Sequence, residues 1–180
     1  MLINFKKFFG INNDIVLSAD LYSDVVNQLG GSVLNSGLFT VFKENDISRW
    51  NNIVKETYTE FPSEVKLFGY DWLGRCFGMD SRNETFGNVL MYEIGTADIL
   101  EIPCNLESFL DEEIPIYSDD CLAESFFKEW LDYSKQKISY GQCVGYKVPL
   151  FLNGDDSVEN LELNDMEVYW GVIGQIKNLI

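Results

Sequence analysis

The feature that most constrains the fold is a run of short apolar segments between residues 65 and 103. The segments are VKLFGYDWLGRCFGMD (65–80), GNVLMYEIG (87–95) and ADILEIP (97–103), and glycine, asparagine or aspartate separates them. Their aromatic and branched side chains favour β-strands, and the short connection EIGTADIL favours a hairpin. We therefore predict an antiparallel sheet in the middle of the chain.

Apolar residues recur with helical spacing before this block. SADLYSDVVNQLGG (18–31) predicts a helix that Ser18 caps and Gly30 ends. NDISRWNNIVKETYTEFP (45–62) predicts a second helix that its final proline stops, and LFTVF (38–42) predicts a strand between the two. The N-terminal part therefore supplies helices that can cover the sheet.

The C-terminal part repeats this mixture. DDCLAESFFKEWLDYSKQK (119–137) predicts one helix with Tyr133 on its buried face, and KVPLFL (147–152) predicts a strand in which Pro149 marks an edge or a bulge. A last helix begins near Asn164, which has cap-like spacing, and its apolar face should dock on the sheet. Strands in a block with helices on both sides indicate an α+β fold.

Length and composition are consistent with one folded domain. The chain has 180 residues, of which 46% are hydrophobic and 14% aromatic. A chain of this size buries about 70% of its unfolded surface, enough for a single core. We predict one α+β domain with a mainly antiparallel sheet, flanking helices and a C-terminal helix docked on the sheet.

The net charge of −16 limits the partners that the chain can bind. Residues 1–100 contain 8 Lys/Arg and 13 Asp/Glu, whereas residues 101–180 contain 5 and 16, so their charges are −5 and −11. Phosphate backbones and anionic membranes are repelled by such a surface. The charge therefore excludes nucleic acid and membrane partners and favours a basic protein.

No sequence pattern indicates catalysis or a cofactor. The chain has no histidine, and its four cysteines form no C-x-x-C pair, so Cys/His zinc sites and thioredoxin-like motifs have no support. Phosphate-binding glycine loops and the G-x-S-x-G elbow are absent too. The N-terminal apolar run is too short for a signal peptide. We expect a cytoplasmic protein that is not an enzyme and binds no cofactor.

Acidic residues cluster in two C-terminal segments, ESFLDEE to SDD (107–120) and NGDDSVENLELND (153–165). The second lacks the alternating spacing of a calcium loop, and its adjacent carboxylates would diverge in an extended loop, which argues against metal binding and catalysis. A solvated surface and a face for a basic partner remain open. The candidate partner-binding residues are Asp111, Glu112, Glu113, Asp119, Asp120, Asp155, Asp156, Glu159 and Glu162.

Several motifs together resemble a known family. They are LGGSVLNSGLFTVF (29–42), FGYDWLGRCFGMD (68–80), VLMYEIGTADILEIP (89–103) and CVGYKVPLFLNGDDSVENLELNDMEVYW (143–170). In order and spacing they are similar to the DUF1851 family, described as the C-terminal domain of the type VI secretion immunity protein Tdi1. The resemblance implies a Tdi1 C-terminal-like domain over residues 29–180. Relatives often begin with a GAD-like domain, so residues 1–28 are interpreted as a divergent or shortened, helical form of it.

Twelve residues carry the family motifs: Tyr70, Asp71, Trp72, Gly74, Arg75, Gly145, Tyr146, Pro149, Phe151, Asp165, Tyr169 and Trp170. Aromatic residues in a central strand belong to the core more often than to an interface, although Trp, Tyr and Arg also dominate binding hot spots. Both interpretations stay open from the sequence. Asp71 and Arg75 are close enough in the chain to form an ion pair.

The resemblance implies an immunity protein that neutralises a cognate toxic effector, in the best-known case a DNase, inside the producing cell and its kin. Blocking a nuclease means covering a site built for phosphate, so carboxylates are the expected contact groups. Two other functions stay open: a regulatory or scaffolding module that binds a housekeeping protein, and a hydrolase with unrecognised carboxylates.

Overall fold

A six-stranded antiparallel sheet forms the centre of the protein. The structure, a computed structural model, describes residues 2–59, 65–80 and 87–180. Neighbouring strands follow one another in chain order: β1 (Val33–Leu34), β2 (Phe39–Val41), β3 (Val65–Asp71), β4 (Cys76–Asp80), β5 (Val89–Glu93) and β6 (Asp98–Ile102). All five pairings are antiparallel. The predicted sheet and α+β class are confirmed.

Alternate side chains of the central strands enter two separate apolar clusters. In β5, Leu90 and Tyr92 face one cluster, whereas Val89 and Met91 face the other. All five residues of β5 are buried, because successive side chains of a strand point to opposite faces and both faces are covered. The sheet is therefore the middle layer of the fold.

Two helices cover the first face: α3 (Glu44–Thr57) and α8 (Met166–Lys177). The rings of Trp50 in α3 and Trp170 in α8 meet edge to face with centroids 6.1 Å apart. Both helices contribute buried residues to the cluster that contains Leu90 and Tyr92. The docking of the C-terminal helix is confirmed. The predicted stop of α3 at Pro62 lies outside the described residues, and the helix ends at Thr57.

Shorter helices cover the second face. Phe5 of α1 and Phe109 share its cluster with Phe39 of β2. The covering elements are α1 (Ile3–Phe9), α2 (Leu21–Leu29), α4 (Leu106–Ser108), a π-helical turn (Phe109–Glu113), α5 (Ile114–Ile116), α6 (Ser118–Leu122) and α7 (Glu124–Ser134). Because α2 crosses the predicted boundary between residues 28 and 29, one helix belongs to both predicted parts. Their assignment to two family regions stays a prediction.

The single helix predicted over 119–137 is wrong, because the chain breaks at Ala123 into α6 and α7. Ala123 has a φ of +50°, outside the right-handed helical region. The carbonyl oxygens of Cys121 and Leu122 accept hydrogen bonds from Arg75 Nη2 at 3.2 Å and Trp72 Nε1 at 2.9 Å. These carbonyls therefore have partners outside the helix where α6 ends.

The exposure of Tyr133 also corrects the prediction for this segment. Its side chain is 57% exposed, whereas Trp130 in the same helix is buried. Tyr133 lies in the last turn of α7, which ends at Ser134. The apolar stripe that the sequence predicts for one long helix is therefore not continuous.

The strand predicted over 147–152 is wrong as well. The strand in this region is β7 (Gln142–Tyr146), which pairs with β8 (Leu161–Asp165), and a 3-10 turn (Leu150–Leu152) follows it. The backbone N–H and carbonyl of Val148 bond to the side-chain amide of Asn160 at 3.0 and 2.8 Å. Pro149 has no N–H, so its backbone cannot donate a hydrogen bond to a neighbouring strand.

Two helix caps differ by a residue or two from the prediction. Asp20, rather than Ser18, accepts the Ser23 N–H at the start of α2, while Gly30 follows the end of that helix as expected. Asp165, rather than Asn164, accepts two backbone N–H groups at the start of α8. In both cases a carboxylate replaces the neutral cap, a choice that the helix dipole favours.

Lys135 ends α7 with a φ of +56°, a conformation in which a side chain is strained. We expect Lys135→Gly to raise the free energy of unfolding by about 0.5–1 kcal/mol, measured by urea denaturation, because glycine adopts this conformation without strain. Its exposed ion pair with Asp132 should contribute little. Lys137→Gly, an exposed change of the same charge without positive φ, is the control. Equal effects would contradict the explanation.

Candidate partner interface

The nine predicted acidic residues lie in five short surface segments. Residues 111–113 belong to the π-helical turn, 119 and 120 to α6, 155 and 156 to the loop before a second 3-10 turn (Val158–Asn160), 159 to that turn and 162 to β8. Each is exposed or half-buried. None forms an ion pair with any part of the chain that the structure describes.

Three of the nine hold the fold together. Asp111 Oδ1 accepts the backbone N–H groups of Asn4 at 2.7 Å and Phe5 at 3.1 Å, which are unpaired donors in the first turn of α1. Asp119 accepts both the N–H and the hydroxyl of Ser125 in the first turn of α7. These hydrogen bonds lower the pKa of Asp119.

The third is Asp156, whose Oδ1 accepts the hydroxyl of Tyr146 at 2.7 Å. The Tyr146 ring packs on the β5–β6 turn, where a Cβ added to Gly95 would lie 2.8 Å from it. Asp156 therefore fixes a side chain of the core. Its carboxylate is only partly available to a partner.

The other six carboxylates have no side-chain hydrogen bond to described residues. They are Glu112, Glu113, Asp120, Asp155, Glu159 and Glu162. Glu159 and Glu162 take part in hydrogen bonds through their backbone carbonyls instead. The side chains therefore keep their full capacity to accept hydrogen bonds from Lys or Arg.

One contact relates the two acidic segments. Helix α7 begins at Glu124, four residues after Asp120, and packs on the 3-10 turn that contains Glu159. The prediction that both segments form a single patch stays a prediction.

The family-motif residues between β3 and β4 are structural. Trp72 and Asp71 are fully buried, and Arg75 is 7% exposed. Gly74 has a φ of +76°, and an added Cβ would lie 3.0 Å from the Cys143 sulfur. This turn therefore requires glycine for both its conformation and its space.

Hydrogen bonds join the β3–β4 turn to the C-terminal part of the chain. Trp170 Nε1 donates to the Gly74 carbonyl at 2.8 Å, and the Val144 N–H donates to the Trp72 carbonyl at 2.6 Å. The Tyr70 hydroxyl accepts the Gly141 N–H at 2.8 Å. The core interpretation of these aromatic residues fits their burial.

A buried ionic group lies beside this turn. Arg75 contacts Asp71 Oδ2 at 2.6 Å through Nε and at 2.5 Å through Nη2, and its Nε lies 3.5 Å from Glu93 Oε2. Glu93 Oε1 accepts the Gly95 N–H at 3.2 Å. Burial raises the pKa of Glu93 to about 7, against the opposing effect of Arg75. All three side chains of the group are buried.

The remaining motif residues also serve the fold. Tyr169 packs on Gly145 and accepts the Tyr146 N–H through its hydroxyl at 3.1 Å. Pro149 is buried, and Phe151 is partly buried against the cluster that contains Leu90 and Tyr92. Asp165 caps α8.

The surface grooves among the described residues include two that the sequence did not predict. One of about 390 Å³ is lined by Asn88, Pro103, Cys104, Asn105, Ser108, Glu112 and Glu113. The other, also about 390 Å³, lies between α3 and α8 above Trp170. Within the described ranges no three His, Cys, Asp or Glu side chains form a group that could hold a metal, and no helix could span a bilayer.

Residues 105–177 match the family model described as T6SS immunity protein Tdi1, C-terminal. This part of the chain is similar to that family. No curated protein matches the chain. The crystal structure of Atu4351 from Agrobacterium tumefaciens is similar, with a TM-score of 0.66 and 20% identity over 97% of this chain and 89% of that chain. At this identity the likeness shows a shared fold.

The Tdi1-like region contains all nine predicted acidic residues. It also contains the acceptors of Trp72 and Arg75 at the end of α6, and Trp170, the donor to Gly74. The β3–β4 turn lies outside the matched residues. These hydrogen bonds nevertheless join it to the Tdi1-like region.

The carboxyl of Glu93 should make stability depend on pH. Its pKa is higher in the folded protein than the ordinary value of 4.5, so the fold binds this proton more tightly than the unfolded chain, and the resulting stability is lost as pH rises through 7. We expect the stability of Glu93→Gln relative to the original protein to increase between pH 5 and pH 8, by up to roughly 3 kcal/mol. Urea denaturation at both pH values measures this, with Glu162→Gln as the control for losing an exposed carboxylate. A constant difference would contradict it.

Two adjacent acids in the π-helical turn should contribute differently to the free energy of unfolding. Asp111→Ala removes the acceptor of two N–H groups in α1, so we expect it to lower the free energy of unfolding by about 1–2 kcal/mol. Glu112→Ala should change it by less than about 0.5 kcal/mol. Thermal or urea denaturation of the two variants tests this assignment. Similar losses in both would show that the division between structural and free carboxylates is wrong.

Proposed function

We propose that the protein is a type VI secretion immunity protein that binds a cognate toxic effector in the cytoplasm and covers the effector's active site with an acidic surface. The match of residues 105–177 to the family model described as T6SS immunity protein Tdi1, C-terminal, is the observation that carries this proposal. The family supports an immunity role and favours a function without catalysis. A nuclease is the class of effector that best fits the acidic surface.

The six free carboxylates support the mechanism. A nuclease site attracts phosphates through Lys, Arg or metal ions, and carboxylates present the same sign of charge and the same kind of acceptor oxygen. Glu112, Glu113 and Asp120 come from helical turns, and Glu162 comes from a strand. Elements held by a core place such groups with little loss of conformational entropy on binding. The charge of −16 also accelerates encounter with a basic protein.

The alternative is a regulatory or scaffolding module that binds a housekeeping protein. The same acidic surface would serve that function. The family match favours the immunity protein, and identification of the partner separates the two.

Affinity capture tests the function itself. Tagged protein is used to capture partners from its source cells at low and high salt, and mass spectrometry identifies them. We expect a basic protein that degrades DNA or RNA after release and stops when this protein is added back at equal molar amount. Retention of a housekeeping protein without toxic activity would favour the regulatory module instead.

Charge-neutral variants test the acidic surface with the captured effector. We expect Glu112→Gln/Glu113→Gln and Asp155→Asn/Glu159→Gln each to weaken binding by about tenfold or more and to reduce its salt dependence, because each removes two free carboxylates. Calorimetric titration at two salt concentrations measures both effects. Glu44→Gln/Glu56→Gln on α3 is the matched control for charge. An equal loss in the control would mean that only the long-range field acts, and unchanged affinity in both acidic variants would disprove the proposed surface.

A further inference from the structure

β6 is an edge strand of the central sheet in the part of the chain that the structure describes. It is the last strand of the sheet, with β5 as its neighbour. Apart from that ladder, its backbone makes one hydrogen bond within the described residues, from the Cys104 N–H to the Ile102 carbonyl at 2.7 Å. The outer N–H and carbonyl groups of an edge strand can pair with a strand from another chain.

The side chains of β6 combine apolar and acidic groups. Leu100 is 46% exposed, and Ile99 and Ile102 are half-buried. Asp98 and Glu101 are exposed on the same strand. Five residues of strand extend about 17 Å, long enough for a short strand to pair along them. The edge therefore offers backbone groups, an apolar contact and two carboxylates.

The acid-lined groove continues this edge. Pro103 and Cys104 follow β6 directly and line the groove with Glu112 and Glu113. The Asn88 side chain, also in its lining, donates a hydrogen bond to Glu101. No Lys or Arg is among the residues that line the groove. A strand laid along β6 would have two further carboxylates at the end where β6 finishes.

The charges decide which strand fits. Pairing β6 with β6 of a second copy would bring Asp98 and Glu101 of both copies into one interface, and like charges there are destabilising. A strand with Lys or Arg would instead meet opposite charges along the edge and in the groove. We propose that β6 accepts a cationic strand of the effector as an added strand of the sheet. The identity of this partner rests on the proposed function.

A synthetic peptide of alternating Lys and Val, blocked at both ends, tests the edge without the effector. We expect it to slow hydrogen exchange of alternate amides in residues 98–102 by about tenfold, since a new ladder protects the outward N–H groups. An alternating Glu and Val peptide should have no effect. Asp98→Lys/Glu101→Lys should abolish the protection, and Glu44→Lys/Glu56→Lys on α3 should keep it. Unchanged exchange in residues 98–102 with the Lys and Val peptide would overturn the proposal.

The captured effector allows a second experiment on the same strand. In its complex the amides of residues 98–102 should be protected, and Asp98→Lys/Glu101→Lys should weaken binding more than Glu44→Lys/Glu56→Lys. Protection elsewhere, with 98–102 unchanged, would overturn the strand pairing and leave the immunity function standing. Failure to capture any toxic protein would overturn the immunity function, and the peptide result would still decide whether β6 accepts a cationic strand.

Discussion

The buried pair of Asp71 and Arg75 is the interaction on which the rest of the structure depends. The Asp71 carboxylate receives two backbone N–H groups, from Leu73 and Arg75, as well as the Arg75 guanidinium. An ion left unpaired at such depth would cost several kcal/mol, so the pair forces the chain between β3 and β4 into one conformation. That conformation places Trp72 and the Gly74 carbonyl where the two covering layers can bond to them.

The β3–β4 turn also positions the end of α6, the helix that carries Asp119 and Asp120. Trp72 and Arg75 bind the last carbonyls of α6, the chain turns at Ala123, and Asp119 of α6 accepts the Ser125 N–H in the first turn of α7. Asp120, one of the free carboxylates, lies next to Asp119 in α6. Buried contacts and the structural carboxylates together hold the free carboxylates in place, so that these can meet a partner without a large loss of entropy.

The sequence predicts the sheet well because strand signals are local. Alternation, branched side chains and turn residues between 65 and 103 are properties of the segments themselves, and the hairpins join neighbours in the chain. The strand predicted at 147–152 failed because the side chain of Asn160 takes the backbone bonds of Val148. The break at Ala123 depends on donors from Trp72 and Arg75, about fifty positions earlier, which periodicity cannot reveal.

The same limit applies to the candidate interface. Asp111 and Glu112 are neighbours with the same chemistry, but Asp111 is tied to α1, a partner 107 positions away in the chain. Sequence can identify an acidic segment, whereas only packing shows which carboxylates are already used. One signal was present: the segment DILEI ends a run of hairpins and carries acids among apolar residues, a pattern typical of an edge strand.

The separation of structural and free carboxylates explains how a chain with a charge of −16 can be stable and still offer charge for the proposed binding of a basic partner. Mutual repulsion among acids opposes the compact state. Asp71, Asp111 and Asp119 offset this with hydrogen bonds inside the fold. The side chains of the six free carboxylates accept no hydrogen bond from described residues, so a cationic surface would relieve their repulsion. A basic partner therefore gains affinity from contacts and from relieved repulsion together, and by linkage its binding stabilises the fold.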